Sequence, residues 1–177
     1  MRTRFNVHKM TLMAILLALA IALGIAESFI PSTWVPGLKP GFANIVICLA
    51  LYEFGIIEAL FINLARVLVV ALLRGTFLQM GFWMSFAGAL ASLIMMIIGK
   101  YLLKMLTVVG VSVLGSIMHS FAQVAVGAIF MESTAVFYYY PFMMLISLGT
   151  GILVGLAVDR IMATGVLEKQ KKMHGYR

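Results

Sequence analysis

Apolar residues run through this chain in long blocks, without the regular polar alternation of a half-buried strand or a surface helix. A membrane-crossing helix needs about 20 mostly apolar residues. Six blocks approach that length, at about residues 11–30, 41–55, 57–77, 80–98, 106–131 and 138–162, and the second is short. The pattern predicts an all-α integral membrane protein, a single membrane domain over residues 1–177 with six transmembrane helices. The first block has the basic start and greasy centre of a signal peptide. It is as long as a full span and more spans follow, so it reads as a retained first helix.

The breaks between blocks set the topology. Six crossings put both termini on one side. Of the 13 Lys and Arg residues, Arg2, Arg4 and Lys9 precede or open the first block. Arg160, Lys169, Lys171, Lys172 and Arg177 close the chain, and Lys100 and Lys104 sit in the fourth connection. Basic residues gather on the cytoplasmic face of membrane proteins, so both termini are expected in the cytoplasm of a bacterial cell membrane. The segment PSTWVPGLKPG (residues 31–41) then lies outside. So do RGTFLQ (74–79) and MESTAVFYYYP (131–141), whose Tyr138, Tyr139 and Tyr140 suit an interfacial aromatic belt.

Composition agrees with this class. The chain of 177 residues is 63% hydrophobic and 11% charged, against roughly a quarter charged in a soluble domain. The net charge of +7 is explained by membrane topology, and no folded soluble face exists to bind nucleic acid. Cys48 is the single cysteine, so no internal disulfide can form. No phosphate-binding loop, Asp-rich DDxxD sequence, catalytic triad or metal-ligand cluster is present. The chain is therefore expected to be neither an ATPase nor an enzyme, and nothing implies a cofactor.

Three cations fall away from the basic side: Lys39, Arg66 and Arg74. Asn63, Arg66, Val70 and Arg74 are spaced by three, four and four, which puts them on one helical stripe. A charge at the bilayer centre costs about 2.5–3.5 kcal/mol on insertion scales. Arg74 sits near the interface and can snorkel. Arg66 needs a partner, either an acid or a bound anion. Glu27, near the outer end of the first span, is the candidate acid for Arg66 or Arg74. In the fifth span His119 and Gln123 are four apart, and Ser112, Gly115 and Ser116 extend the same face. Lys39 and Asn44 lie at the outer start of the second span, where helix N–H groups favour anions. Lys39, Arg66, Arg74 and His119 are at compatible depth to meet one small anionic ligand.

Two small-residue faces complete the reading. Ala14, Ala18, Ala22 and Ala26 recur every four residues in the first span, a spacing that allows close helix approach. They serve either internal packing or docking to a separate membrane protein. Gly149, Gly151 and Gly155 form a second such face in the last span.

The stretches ESFIPSTWVPGLKPGFANIVICLALY, ARVLVVALLRGTF, SFAGALASLIMM, GVSVLGSIMHSFAQ and YYYPF with GTGILVGL together resemble the Gx transporter family, also labelled heptaprenyl diphosphate synthase component I. That family is in turn similar to the substrate-binding S components of energy-coupling factor (ECF) vitamin transporters. The resemblance implies an S-component-like six-helix bundle with an outward-facing pocket for a vitamin, flavin, or isoprenoid or quinone precursor. It implies that Ala14, Ala18 and Ala22 meet a transmembrane coupling subunit, and that two separate ATPase subunits power transport. The pocket expected here is Lys39, Asn44, Asn63, Arg66, Arg74, His119 and Gln123, with Glu27 orienting an arginine and the first outer loop as a lid. The synthase label implies instead a membrane subunit of a prenyl diphosphate synthase or flavin-based electron-transfer assembly.

Overall fold

A computed structural model describes residues 7–29, 39 and 41–165. Every regular element among them is helical: α1 (Val7–Glu27), α2 (Asn44–Glu53), α3 (Ile56–Leu73), α4 (Met80–Tyr101), α5 (Val108–Phe130), a 3-10 segment (Thr134–Tyr139) and α6 (Tyr140–Ala163). Five helices are long and apolar enough to cross a membrane. The chain is a multi-pass membrane protein of the all-α class. The 31–38 part of the first loop lies outside the described residues.

α2 is the exception in length. Its 10 residues rise about 15 Å at 1.5 Å each, half of a hydrocarbon core of about 30 Å. The apolar block at 41–55 therefore overstates the helix. A turn at Phe42 and Ala43 precedes it, and Gly55, at φ 112, ends it in a conformation that only glycine adopts cheaply. A half-length helix inside a membrane must satisfy its backbone ends within the protein. At its start, Glu27 Oε1 accepts from the Ala43 N–H at 2.8 Å. At its end, Lys100 Nζ donates to Leu51 O at 2.8 Å and lies over the Tyr52 and Tyr101 rings. α2 is buried almost all round, and its Val46, Ile47 and Leu51 pack with Ile62, Met96, Val111 and Val158 as the main core.

Contacts give the helix directions. Lys9 at the start of α1 pairs with Glu58 at the start of α3, and Gly24 meets Val70 further along both helices, so α1 and α3 run parallel. α4 and α5 run antiparallel: Gly99 abuts Val111, Gly88 abuts His119 and Gln123, and Gly127 abuts Met84. α6 returns along α5, with Gly155 on Val109 and Gly151 on Val113 and Ser116. The described chain thus starts and ends at one end of the bundle. Lys9, Lys100, Lys104 and Arg160 mark that basic end, while Lys39 and Arg74 belong to the far end.

The two small-residue faces have different fates. A Cβ on Gly155 would lie 2.5 Å from Val109 Cα, and one on Gly151 2.8 Å from Val113 Cα. These two glycines let the α5 and α6 backbones touch, whereas Gly149 faces open space. Ala14, Ala18, Ala22 and Ala26 are all exposed on α1, so internal packing is not their role.

Forcing side chains into a filled interface costs about 1–3 kcal/mol and at times more. Gly155→Ala should lie at or above the top of that range, because the clash is with backbone. Gly149→Ala should be neutral. Thermal unfolding of both variants in the same detergent checks the contrast.

Candidate functional site

Arg66 sits just past the middle of α3 and is only 5% exposed. It faces the bundle because Ile62, Asn63, Val67 and Val70 share its buried side of the helix. Two neutral amides hold its guanidinium. Nη2 donates to Asn63 Oδ1 at 3.0 Å and to Asn44 Oδ1 at 3.3 Å. Asn63 is itself fixed by donating Nδ2 to Ala89 O of α4 at 2.8 Å. Nε has no hydrogen-bond partner among the described residues.

The expected acid partner is absent from direct contact. Among the described residues no carboxylate pairs with Arg66 or Arg74; the ion pair found is Lys9 with Glu58. Glu27 faces the same cavity as Arg66, but its carboxylate accepts the N–H that opens α2. Glu27 makes no hydrogen bond to an arginine, and its carboxylate faces Arg66 only across the shared cavity. An unpaired helix N–H captured the carboxylate, and two asparagines took the orienting role.

Beside the guanidinium lies a small cavity, part of it open to the outside. Its polar wall is Glu27, Lys39, Arg66, Thr76, Ser85, His119 and Gln123. Its apolar wall comes from Val67, Val70, Ala71 and Phe82, with Gly24 on the α1 side. Lys39 closes one edge. Its backbone N–H donates to Gln123 Oε1 at 3.2 Å, and its Nζ donates to Ser85 Oγ at 3.1 Å. Burial pushes the Lys39 ammonium below its usual range; Glu27 opposes that shift, and the charges of Arg74 and Arg66 add to it.

His119 and Gln123 stack on α5 as their spacing predicts, with Nε2 atoms 3.0 Å apart. Gly88 of α4 makes room for them, since a Cβ there would meet His119 and Gln123 at 3.0 Å.

The structure therefore brings Glu27, Lys39, Arg66, His119 and Gln123 to one cavity. Asn44 and Asn63 hold Arg66 without lining that space. Arg74 does not join: it caps the end of α3, exposed to the surroundings. The two turns that separate it from Arg66 carry it to the bundle surface. Ser85, Thr76 and Phe82 were missed by sequence reasoning. Ser85 had a usable signal, a hydroxyl in the apolar fourth span four residues after Gly81, to whose carbonyl it donates at 2.8 Å.

Hydrogen bonds to a charged group contribute about 1.5–3 kcal/mol. Asn63→Leu should destabilise by that order, and much less in an Arg66→Met background. Glu27→Gln should couple to Arg66→Met more weakly, through charge across the cavity and not through a hydrogen bond. Double-mutant cycles on thermal unfolding read both.

Comparison with known proteins adds one finding. Residues 16–161 match the family model described as heptaprenyl diphosphate synthase component I. No curated protein and no solved structure matches the chain. The match spans most of the bundle and both walls of the cavity, and the chain belongs to the heptaprenyl diphosphate synthase component I family.

Proposed function

We propose that this chain is a substrate-binding membrane subunit that takes a small anionic molecule into the cavity beside Arg66. One observation carries the reading: a buried guanidinium just past the middle of α3 is held by neutral amides, and among the described residues no carboxylate is in direct contact with it. A buried cation with no carboxylate in direct contact is costly. Lys39 is a second cation on the same wall. Intramembrane charges lining a cavity mark ligand pathways by default. The cavity lies toward the end of the bundle opposite the basic one, which supports an outward-facing site under the positive-inside rule.

The outward stripe Ala14, Ala18, Ala22 supports an ECF-type arrangement. It leaves a face of α1 smooth enough for a coupling subunit to pack closely, and two ATPase subunits would supply the energy. A second reading is favoured by the family description: a membrane subunit of a prenyl diphosphate synthase assembly that presents lipid substrate. Both readings use the cavity. They differ in whether activity follows ATPase subunits or a soluble synthase.

Protein purified in mild detergent from its native host should carry a small anion in native mass spectrometry, and Arg66→Met should lose it at least tenfold while remaining folded. Retention of the same anion by a folded Arg66→Met protein would refute the cavity assignment. An empty protein bound to a synthase subunit would favour the second reading.

The pH dependence follows from Lys39. The ammonium attracts an anion only while protonated, and burial lowers its pKa. Affinity should therefore fall as pH rises through that lowered value, earlier than an exposed lysine would allow. Lys39→Arg, which stays charged, should flatten the decline in a titration of bound ligand.

A further inference from the structure

Lys39 is tied to the bundle at both of its ends. Its backbone N–H donates to Gln123 Oε1 of α5 at 3.2 Å, and its Nζ donates to Ser85 Oγ of α4 at 3.1 Å. The residue thus bridges two helices along the edge of the cavity. The first bond fixes where the side chain starts. The second fixes where it ends, and the direction of that bond has a chemical consequence.

A serine hydroxyl has one proton to give and two lone pairs to receive with. Ser85 gives its proton to Gly81 O, one turn back on α4, at 2.8 Å. Only lone pairs remain for Lys39. An ammonium N–H donates to such an oxygen more strongly than a neutral amine does, and a hydrogen bond to the charged form favours that form. A hydroxyl with a free proton could instead donate to the nitrogen of a neutral amine; the bond to Gly81 removes that option. The other groups around Lys39 pull both ways. Burial disfavours its charge, Glu27 of α1 favours it, and Arg74 and Arg66 of α3 oppose it. From α5 the cavity receives His119 and Gln123, and from α4 it receives Gly81, Phe82 and Ser85, none of which carries a charge.

We infer that Ser85 is a positioning residue: its acceptor-only hydroxyl keeps Lys39 protonated and holds the ammonium at the cavity edge. The use of that charge for a ligand rests on the anion-binding reading above. The placement of the charge does not, and it can be tested without a ligand.

Protein in nanodiscs with isotope-labelled lysine side chains reports the protonation of each lysine by NMR. The Lys39 signal is the one missing from Lys39→Arg. Ser85→Ala should lower the Lys39 titration midpoint by about one pH unit, the order set by one hydrogen bond to a charged group. Ser85→Thr keeps a hydroxyl that in a helix also bonds the carbonyl one turn back, and its midpoint should stay near that of the wild type. An unchanged midpoint in folded Ser85→Ala would overturn the role. An equal fall in the Ala and Thr variants would overturn it too, because the effect would then come from packing and not from the hydroxyl. Sodium formate is a probe compact enough for a cavity with room for a few waters, and it separates the two readings. A formate-raised midpoint in the wild type that shrinks in Ser85→Ala supports both. A response to formate with no dependence on Ser85 overturns the positioning role and leaves the anion reading standing. Dependence on Ser85 with no response to formate supports the positioning role and counts against the anion reading.

Discussion

The structure turns on a guanidinium that should not be buried alone. Arg66 is nearly inaccessible within a span, and its two hydrogen bonds go to Asn63 and Asn44. Amides orient a cation without neutralising it. The side chain is therefore positioned by the fold, with Glu27 on the same cavity but not in hydrogen-bond contact. A carboxylate in direct contact would have closed that demand inside the protein. The sequence has a candidate acid at the right depth, yet Glu27 is committed elsewhere.

That commitment links the site to the fold. Glu27 closes the N-terminal end of α2, and Asn44, the first residue of α2, supports Arg66. Lys100 closes the opposite end of the same helix. A ten-residue helix with one end at the cavity and the other at the basic end contacts α1, α3, α4, α5 and α6. The half-span is the keystone, because its start meets the cavity wall through Glu27 and Asn44. Gly88 serves the same end from α4, since any side chain there would displace His119 and Gln123.

Much of this was legible in the residues. Of the six spans that apolar length predicts, five are helices long enough to cross a membrane and α2 is not, and the charge asymmetry along the chain agrees with the observed helix directions. The shared facing of His119 and Gln123 on α5 follows from helical spacing. What the pattern could not convey was helix length inside an apolar block: hydropathy is blind to a turn made by Phe42 and Ala43, because those residues are as greasy as a helix. It could not tell which buried donor would win Glu27, because a backbone N–H leaves no mark in composition. Arg74 shared a stripe with Arg66 but not a neighbourhood, since a stripe on one helix climbs out of the bundle. Ser85 was overlooked because a single hydroxyl in a span is commonly absorbed by its own helix, and here it also receives Lys39.

The central claim is that Arg66 is held ready for a ligand and not neutralised within the protein. An experimental structure of the protein purified from its native membrane tests it most directly. The account predicts density for an oxyanion within hydrogen-bond distance of Arg66 and Lys39, with Glu27 still on the Ala43 N–H. A closed, empty cavity with Glu27 paired directly to Arg66 would contradict it and reduce the cluster to a buried structural ion pair.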